Sequence, residues 1–267
     1  MSTPDIDSRL QFALSAAEEA GQLTLRYFRG AQFEIELKED ATPVTNADRE
    51  AEQLLRKRIA ATFPNDAIVG EEFTPQPGSS GFRWIVDPID GTKSFIRGVP
   101  LYGTLVGVEQ DDQSVIGVIM LPALDECLYA AAGQGAWHRR GSDSPRPAKV
   151  SSRARLQEGL FCTSDCLSFA QIGREQTLQQ LQAASGLSRT WGDCFGYVLV
   201  ATGRAEVMVD PIMSVWDAAA LKPILEEAGG TFTDWQGRPS IRSGQGIGTN
   251  GKVLEEVLAI TRQSPAK

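Results

Sequence analysis

Trp84-Ile85-Val86-Asp87-Pro88-Ile89-Asp90-Gly91-Thr92-Lys93-Ser94-Phe95 constrains this chain more than any other stretch. Its apolar, β-branched start reads as a buried strand. The run ends in two carboxylates, Asp87 and Asp90, with Pro88 between them. Pro88 fixes its own φ and has no amide for a sheet ladder, so the strand is expected to stop there. Gly91-Thr92 then offers a permissive backbone with amides that can face an anion. Carboxylates at a strand end followed by such amides suit a divalent metal together with a phosphate. Taken alone, the same residues also read as a D-P turn with solvated carboxylates, so the rest of the chain has to decide.

Composition removes several classes of function. The chain has 267 residues, 42% of them hydrophobic, which suits one large or two modest mixed α/β domains with a sizeable core. Its net charge of −8 leaves no basic footprint for nucleic acid or anionic lipid, so a small-molecule partner is expected. No apolar run approaches the ~18 residues that would suggest a membrane span. Met1–Asp5 has neither the basic nor the apolar region of a secretory signal. Cys127, Cys162, Cys166 and Cys194 fall in no zinc-binding spacing and read as reduced thiols, so a cytoplasmic location is expected. The single histidine, His138, lies in Ala136-Trp137-His138-Arg139-Arg140-Gly141, which reads as a surface loop. A Ser-His-Asp triad or a histidine-rich zinc site would rest on that residue alone. The chemistry must therefore run on carboxylates, hydroxyls and bound ions.

Periodicity supplies the scaffold. Residues 7–28 repeat apolar positions at three and four and predict an amphipathic helix closed by Gly30. Residues 33–38 alternate and predict a strand, followed by a polar loop over 38–43. A second helix is expected from Thr45 or Asn46 to about Phe63, with Asp48 in its first turn, where helix amides favour a carboxylate. Ala67–Gly70 reads as a short strand emptying into Glu71-Glu72. Residues 105–109, 115–121 and 126–132 form a strand meander, and the Gly/Ser/Pro-rich stretch 141–147 is the best boundary. The expected parts are thus 1–145 and 146–267. In the second, 160–163 and 205–209 are strand-like, the latter ending at Asp210-Pro211. Residues 174–184, 194–202 and 216–227 are helical, the last opening on Trp216-Asp217 and stopped by Gly229-Gly230.

Acidic residues therefore recur at element ends: Asp48, Glu71, Asp87, Asp90, Asp210 and Asp217. Each alone has a plain structural explanation, such as a helix-dipole aspartate or a strand-end turn. Together, hard carboxylate oxygens without histidine or thiolate select Mg²⁺, Mn²⁺ or Ca²⁺ over zinc.

At this point the sequence resembles a known family. Gly70-Glu71-Glu72, Trp84 through Phe95, and Trp216-Asp217-Ala218-Ala219-Ala220 with Glu226-Glu227-Ala228-Gly229-Gly230 are similar, in order, to the inositol monophosphatase family across nearly the whole chain. Phe95-Ile96-Arg97-Gly98-Val99-Pro100 and Arg189-Thr190-Trp191-Gly192-Asp193-Cys194 most resemble its histidinol-phosphate phosphatase branch. The resemblance implies an α/β fold, a layered αβαβα sandwich with an α+β N-terminal part and an α/β C-terminal part, usually dimeric. It implies Mg²⁺, two or three ions with Mn²⁺ possible, held by Glu71, Asp87, Asp90, the Ile89 carbonyl and Asp217. It assigns the amides of Gly91 and Thr92 to the phosphate, and Thr92 with Glu71 or Asp48 to activation of the attacking water.

Asp193 and Asp210 fall where the family contacts the alcohol part of its substrate. Two carboxylates there suit a cationic leaving group such as histidinol. Hydrolysis of L-histidinol phosphate is the expected reaction. Inositol 1-phosphate or another small phosphate monoester is the alternative, and a non-catalytic regulatory homologue the third reading. Arg97, Tyr102 and Trp191 are expected either to line the pocket or to pack.

Overall fold

The computed structural model describes residues 3–30, 35–37 and 43–263. The elements run α1 (Thr3–Leu25), β1 (Ile35–Leu37), β2 (Pro43–Thr45), α2 (Asn46–Thr62), β3 (Ala67–Gly70), β4 (Phe82–Asp90), α3 (Thr92–Ile96) and β5 (Gly103–Gln110). Then come β6 (Gln113–Leu121), β7 (Glu126–Ala131), β8 (Ala136–Arg140), β9 (Arg146–Pro147), β10 (Leu160–Cys162), α4 (Cys166–Gln171), α5 (Glu175–Ala184) and β11 (Leu187–Arg189). The chain closes with α6 (Asp193–Ala201), β12 (Val207–Asp210), α7 (Val215–Ala218), α8 (Leu221–Glu227), β13 (Thr231–Thr233), β14 (Gly246–Thr249) and α9 (Leu254–Thr261). The strand expected over 33–38 is seen at Ile35–Leu37, where it pairs with β2; its other residues, and 38–42 of the polar loop, lie outside the described residues.

Side-chain alternation builds the layers. Strands β3 to β9 form a seven-stranded sheet in sequence order, antiparallel except for the β3–β4 pair. Trp84, Val86, Val106, Val108, Ile116 and Val118 point to one face and pack with Leu10, Ala13, Ala17, Leu55 and Ile59 of α1 and α2. Ile85, Leu105, Ile119 and Leu128 point to the other face and pack on Val198, Leu221 and Ile224 of α6 and α8. The second sheet has the order β11-β10-β12-β14-β13. Its Cys162 and Met208 join the same helix layer, while Phe161, Val207 and Val209 face outward against Leu181 of α5 and Val257 and Leu258 of α9. Helix, sheet, helix, sheet, helix is the αβαβα sandwich. The first sheet runs to Pro147, so the Gly/Ser/Pro-rich stretch 141–147 lies within it and supplies β9, and the second sheet begins at Leu160.

Three local expectations change. First, β4 does not stop before Pro88 but continues to Asp90. A shift in register against β5 absorbs the proline: Asp87 pairs with Leu105 but Asp90 with Gly103. The Pro88 carbonyl is met by the Thr104 hydroxyl at 2.8 Å. Second, His138 lies in strand β8, opposite Leu128 of β7, not in a surface loop. Polar residues on an outer strand carry no apolar alternation to reveal it.

Third, the helix expected over 216–227 is two helices, α7 and α8, whose hydrogen-bond ladder is interrupted at Ala219-Ala220 although the backbone there stays right-handed helical. Pro223 has no amide for the Ala219 carbonyl, so a continuous helix loses that bond. The break lies against the sheet, where Gly107 and Gly117 leave room for it. A Cβ on Gly107 would come within 2.6 Å of the Ala219 Cβ, and one on Gly117 would overlap the Ala220 carbonyl oxygen. Gly117→Ala is therefore expected to lower stability by about 1–3 kcal/mol, the usual cost of overpacking. Urea unfolding checks this, and an unchanged midpoint would mean the junction is not held against the sheet.

Candidate active site

Asp87 and Asp90 come from one strand, yet a regular strand would turn residues three apart to opposite faces. Asp87 shares the face of Ile85, toward the layer of α6 to α8. The bulge between Asp87 and Asp90 adds one residue to β4 and brings Asp90 to the same side. Asp217, on α7, completes the cluster: one carboxylate oxygen from each of Asp87, Asp90 and Asp217 lies within 4.8 Å of the others.

Two capping boxes bring further acids in. Thr45 caps α2, and Asp48 accepts from the Thr45 amide at 2.9 Å and its hydroxyl at 2.5 Å through Oδ2. The other oxygen, Oδ1, lies 3.4 Å from the Thr92 hydroxyl, which also reaches the Ile89 carbonyl at 3.0 Å. Ser214 caps α7, and its amide donates to Oδ2 of Asp217 at 2.7 Å. Asp217 is thus the third helical residue rather than the cap. Of the expected metal ligands, Glu71 stands outside the tight triad, just past β3. It is close enough that its charge acts on Asp48, Asp87 and Asp217. The Ile89 side chain is buried with Phe95 and Tyr102, so only its backbone meets the site: the amide donates to Asp87 Oδ1 at 3.0 Å and the carbonyl is left to serve as a ligand.

The electrostatics show what the cluster lacks. Burial, then the charges of Glu71, Asp90 and Asp217, raise Asp87 well above the usual carboxylate range. Burial, then Asp193 and Asp217, do the same to Asp90, against the Cys194 amide, which donates to its Oδ2 at 2.5 Å. Asp217 is pushed up to about 7 by burial, partly offset by the Ser214 amide. Asp48 is pushed up to about 6, also by burial first. No lysine or arginine is among the main influences on Asp87, Asp90 or Asp217. Such a set of buried hard oxygens fits a divalent cation, whose charge would offset both desolvation and repulsion.

Around the turn after β4, Gly91 takes φ +87° and caps the short α3. A side chain there would be strained, and its Cβ would come to 3.0 Å from Asp193 Oδ2 and 3.2 Å from the Leu101 carbonyl. Asp193 therefore lies directly over the turn, and it too has a left-handed backbone, φ +52°. Its amide donates to the Ser164 hydroxyl at 2.8 Å, and the Ser164 amide donates to Asp210 at 3.0 Å. Burial pushes Asp193 up to about 7, with the Asp210 charge adding to it and Lys93 opposing. Asp210 is 4% exposed, and its second oxygen accepts from the Tyr197 hydroxyl at 3.0 Å. It positions Ser164 and the Asp193 turn and adds negative charge behind them. Ser164, two residues past β10, falls roughly where the resemblance puts a further substrate contact, and here it ties the Asp193 turn to Asp210. Tyr102 is fully buried, with its hydroxyl 3.2 Å from that of Thr24, and is a packing residue. Trp191 is 41% exposed beneath the Arg189 guanidinium, and Arg97 is exposed on the surface.

Residues 5–266 match the profile of the inositol monophosphatase family. The chain belongs to that family. A histidinol-phosphatase of Chlorobaculum parvum is 48% identical over 245 residues, covering 92% of this chain and 91% of the relative. A histidinol-phosphatase of Mycobacterium tuberculosis is 37% identical, covering 93% and 96%. Among solved structures, the extragenic suppressor protein suhB of Bartonella henselae superposes with a TM-score of 0.88 at 27% identity, covering 96% and 99%. The enzyme class is therefore that of a phosphomonoester hydrolase, with an acidic cluster that could bind metal. No helix among the described residues is long and apolar enough to cross a membrane.

Proposed function

We propose that this protein hydrolyses L-histidinol phosphate to L-histidinol and phosphate, with Mg²⁺ held by Asp87, Asp90, Asp217, Glu71 and the Ile89 carbonyl. Two or three ions are proposed, and Mn²⁺ would serve the same hard donors. The observation that carries the substrate reading is Asp193, placed over the Gly91 turn with Asp210 behind it. Two carboxylates beside the leaving group favour an ammonium and an imidazolium over the uncharged hydroxyls of an inositol ring. The histidinol-phosphatases at 35–48% identity support the same reading.

When bound, the ions supply charge neutralisation for the phosphate and a lowered pKa for water. The chain's own residues do the rest. The amides of Gly91 and Thr92 face the phosphate, because the left-handed Gly91 turns the backbone outward before α3. The Thr92 hydroxyl, poised between Ile89 and Asp48, orients the attacking water and passes its proton toward Asp48. Burial gives Asp48 an affinity for protons suited to a general base near neutrality, and Glu71 is placed to assist. Asp193 holds the cationic end of the substrate. Residues 1–145 would carry the metal and phosphate site and 146–267 the leaving-group contacts and Asp217. The protein is further proposed to be a cytoplasmic homodimer.

Phosphate release from L-histidinol phosphate and inositol 1-phosphate, measured side by side with Mg²⁺, tests the reading. A preference of at least ~100-fold for histidinol phosphate is expected, within the ~10⁴–10⁵ that buried polar groups left unpaired by the wrong substrate can supply. Asp193→Asn keeps the shape and the left-handed tolerance of the turn and should erase most of that preference. Equal rates on the two esters would move the reading to a general small-phosphate esterase.

A further inference from the structure

A second concave site lies far from the acidic centre, where the edge of the first sheet meets the end of α6. It is a cleft of about 240 Å³ lined by His138 and Arg140 of β8, Arg146 of β9, Thr202 and Arg204 after α6, and Asp143 and Ser144 of the turn between the strands. β8 stands four strand spacings from β4, about 19 Å across the sheet at ~4.8 Å each. Three guanidiniums converge here in a chain whose net charge is −8.

Glu126 of β7 lies behind the cleft and orders these cations. Its side chain is 11% exposed; it takes Arg140 Nε at 2.6 Å, His138 Nε2 at 3.4 Å and an Arg204 amino group at 3.7 Å. Arg204 Nε donates to the Thr202 hydroxyl at 2.8 Å, which fixes the guanidinium plane. At the end of α6, Val198 accepts from the Thr202 hydroxyl and Leu199 from the Arg204 amide, which holds both residues in place at the rim of the cleft. Across the ladder from His138 stands Arg146, exposed and without an ion pair among the described residues. Three guanidiniums against Asp143 and Glu126 leave a positive surplus before His138 is counted. Nothing in the proposed hydrolysis uses these residues.

We propose that this cleft binds a tetrahedral oxyanion, the phosphate group of a small metabolite. Arginines approaching from β8, β9 and the α6 end can address three sides of a tetrahedral anion, whereas a planar carboxylate is satisfied by a single fork. The volume is below the ~300–1,000 Å³ of pockets that hold drug-sized ligands, which favours a compact phosphorylated molecule over a nucleotide.

His138 is the single histidine of the chain, so its imidazole resonances report on this cleft directly. With the Mg²⁺-loaded, untagged enzyme at fixed pH and ionic strength, inorganic phosphate is expected to shift those resonances along a saturating curve. Acetate should bind at least ~10-fold more weakly, since its two oxygens leave at least one charge-assisted hydrogen bond of the phosphate unmade. Arg146→Ala should raise the phosphate Kd by ~10-fold or more while turnover at saturating substrate stays unchanged, and Arg140→Ala should weaken binding likewise. A shift reproduced by sodium chloride at equal ionic strength would overturn the site. So would unchanged phosphate affinity in both variants, while acetate matching phosphate would overturn the tetrahedral class.

Discussion

Asp90→Asn is expected to lower phosphate release by more than about 100-fold while making the metal-free protein more resistant to heat. Outer residues that only support a metal ligand already cost about 10–100-fold when lost, and Asp90 is placed to be a ligand itself. The substitution keeps the shape and an oxygen for the Cys194 amide, so the turn at the start of α6 survives. It removes a charge that burial, Asp193 and Asp217 all disfavour. Activity and metal-free stability should therefore move in opposite directions, which a purely structural role for Asp90 would not produce. Near-normal turnover, or a lower melting temperature in chelator, would remove Asp90 from the metal set.

Metal binding should also reverse the pH dependence of stability. Asp217 and Asp193 titrate at about 7 and Asp48 at about 6 in the folded chain, against about 3.9 when unfolded. A carboxyl raised on folding contributes stability that is full below the unfolded value and lost as pH rises through the folded one. The metal-free melting temperature is expected to fall between pH 5 and about 8, the window those shifts define. Mg²⁺ at about 100 times its Kd should restore ~2.7 kcal/mol. For a chain of this size that is roughly 5–10 °C. The gain should shrink at pH 5, where protons compete for the same oxygens. Thermal melts with and without Mg²⁺ at both pH values decide it. A metal-free melting temperature that does not fall with pH, or a metal gain equal at both ends, would mean the carboxylates are not the ion's ligands.

The strands and helices of the sandwich were legible where one face is buried. Trp84, Val86, Val106 and Val108 alternate cleanly with Ile85 and Leu105, and α1 carries its apolar stripe. Strand β8 and the short α4 were not legible, because Trp137-His138-Arg139-Arg140 and Cys166–Gln171 acquire their pattern only from the neighbours they pack on. The apolar run from Trp216 to Glu227 read as one helix. Pro223 was the local signal for an interrupted ladder, and the docking of the junction on Gly107 and Gly117 is seen only in the structure. Thr45-Asn46-Ala47-Asp48 and Ser214-Val215-Trp216-Asp217 both carry the spacing of a capping box, a signal that could have placed Asp48 and Asp217 at the third helical position.

By itself the sequence determined the chemistry available to this protein. One histidine, scattered thiols and carboxylates at element ends leave oxygen ligation of a hard cation as the route to hydrolysis. Tertiary structure decided which carboxylates meet. Residues three apart on β4 diverge unless a bulge realigns them, and that bulge exists only against β5. Asp217 arrives from more than a hundred residues away because α7 packs on the same face of the sheet. Asp193 stands over Gly91 because a turn held by Ser164 and Asp210 puts it there. Alternation and propensity are local and can be read along the chain. Convergence depends on long-range packing between segments, which local patterns do not encode.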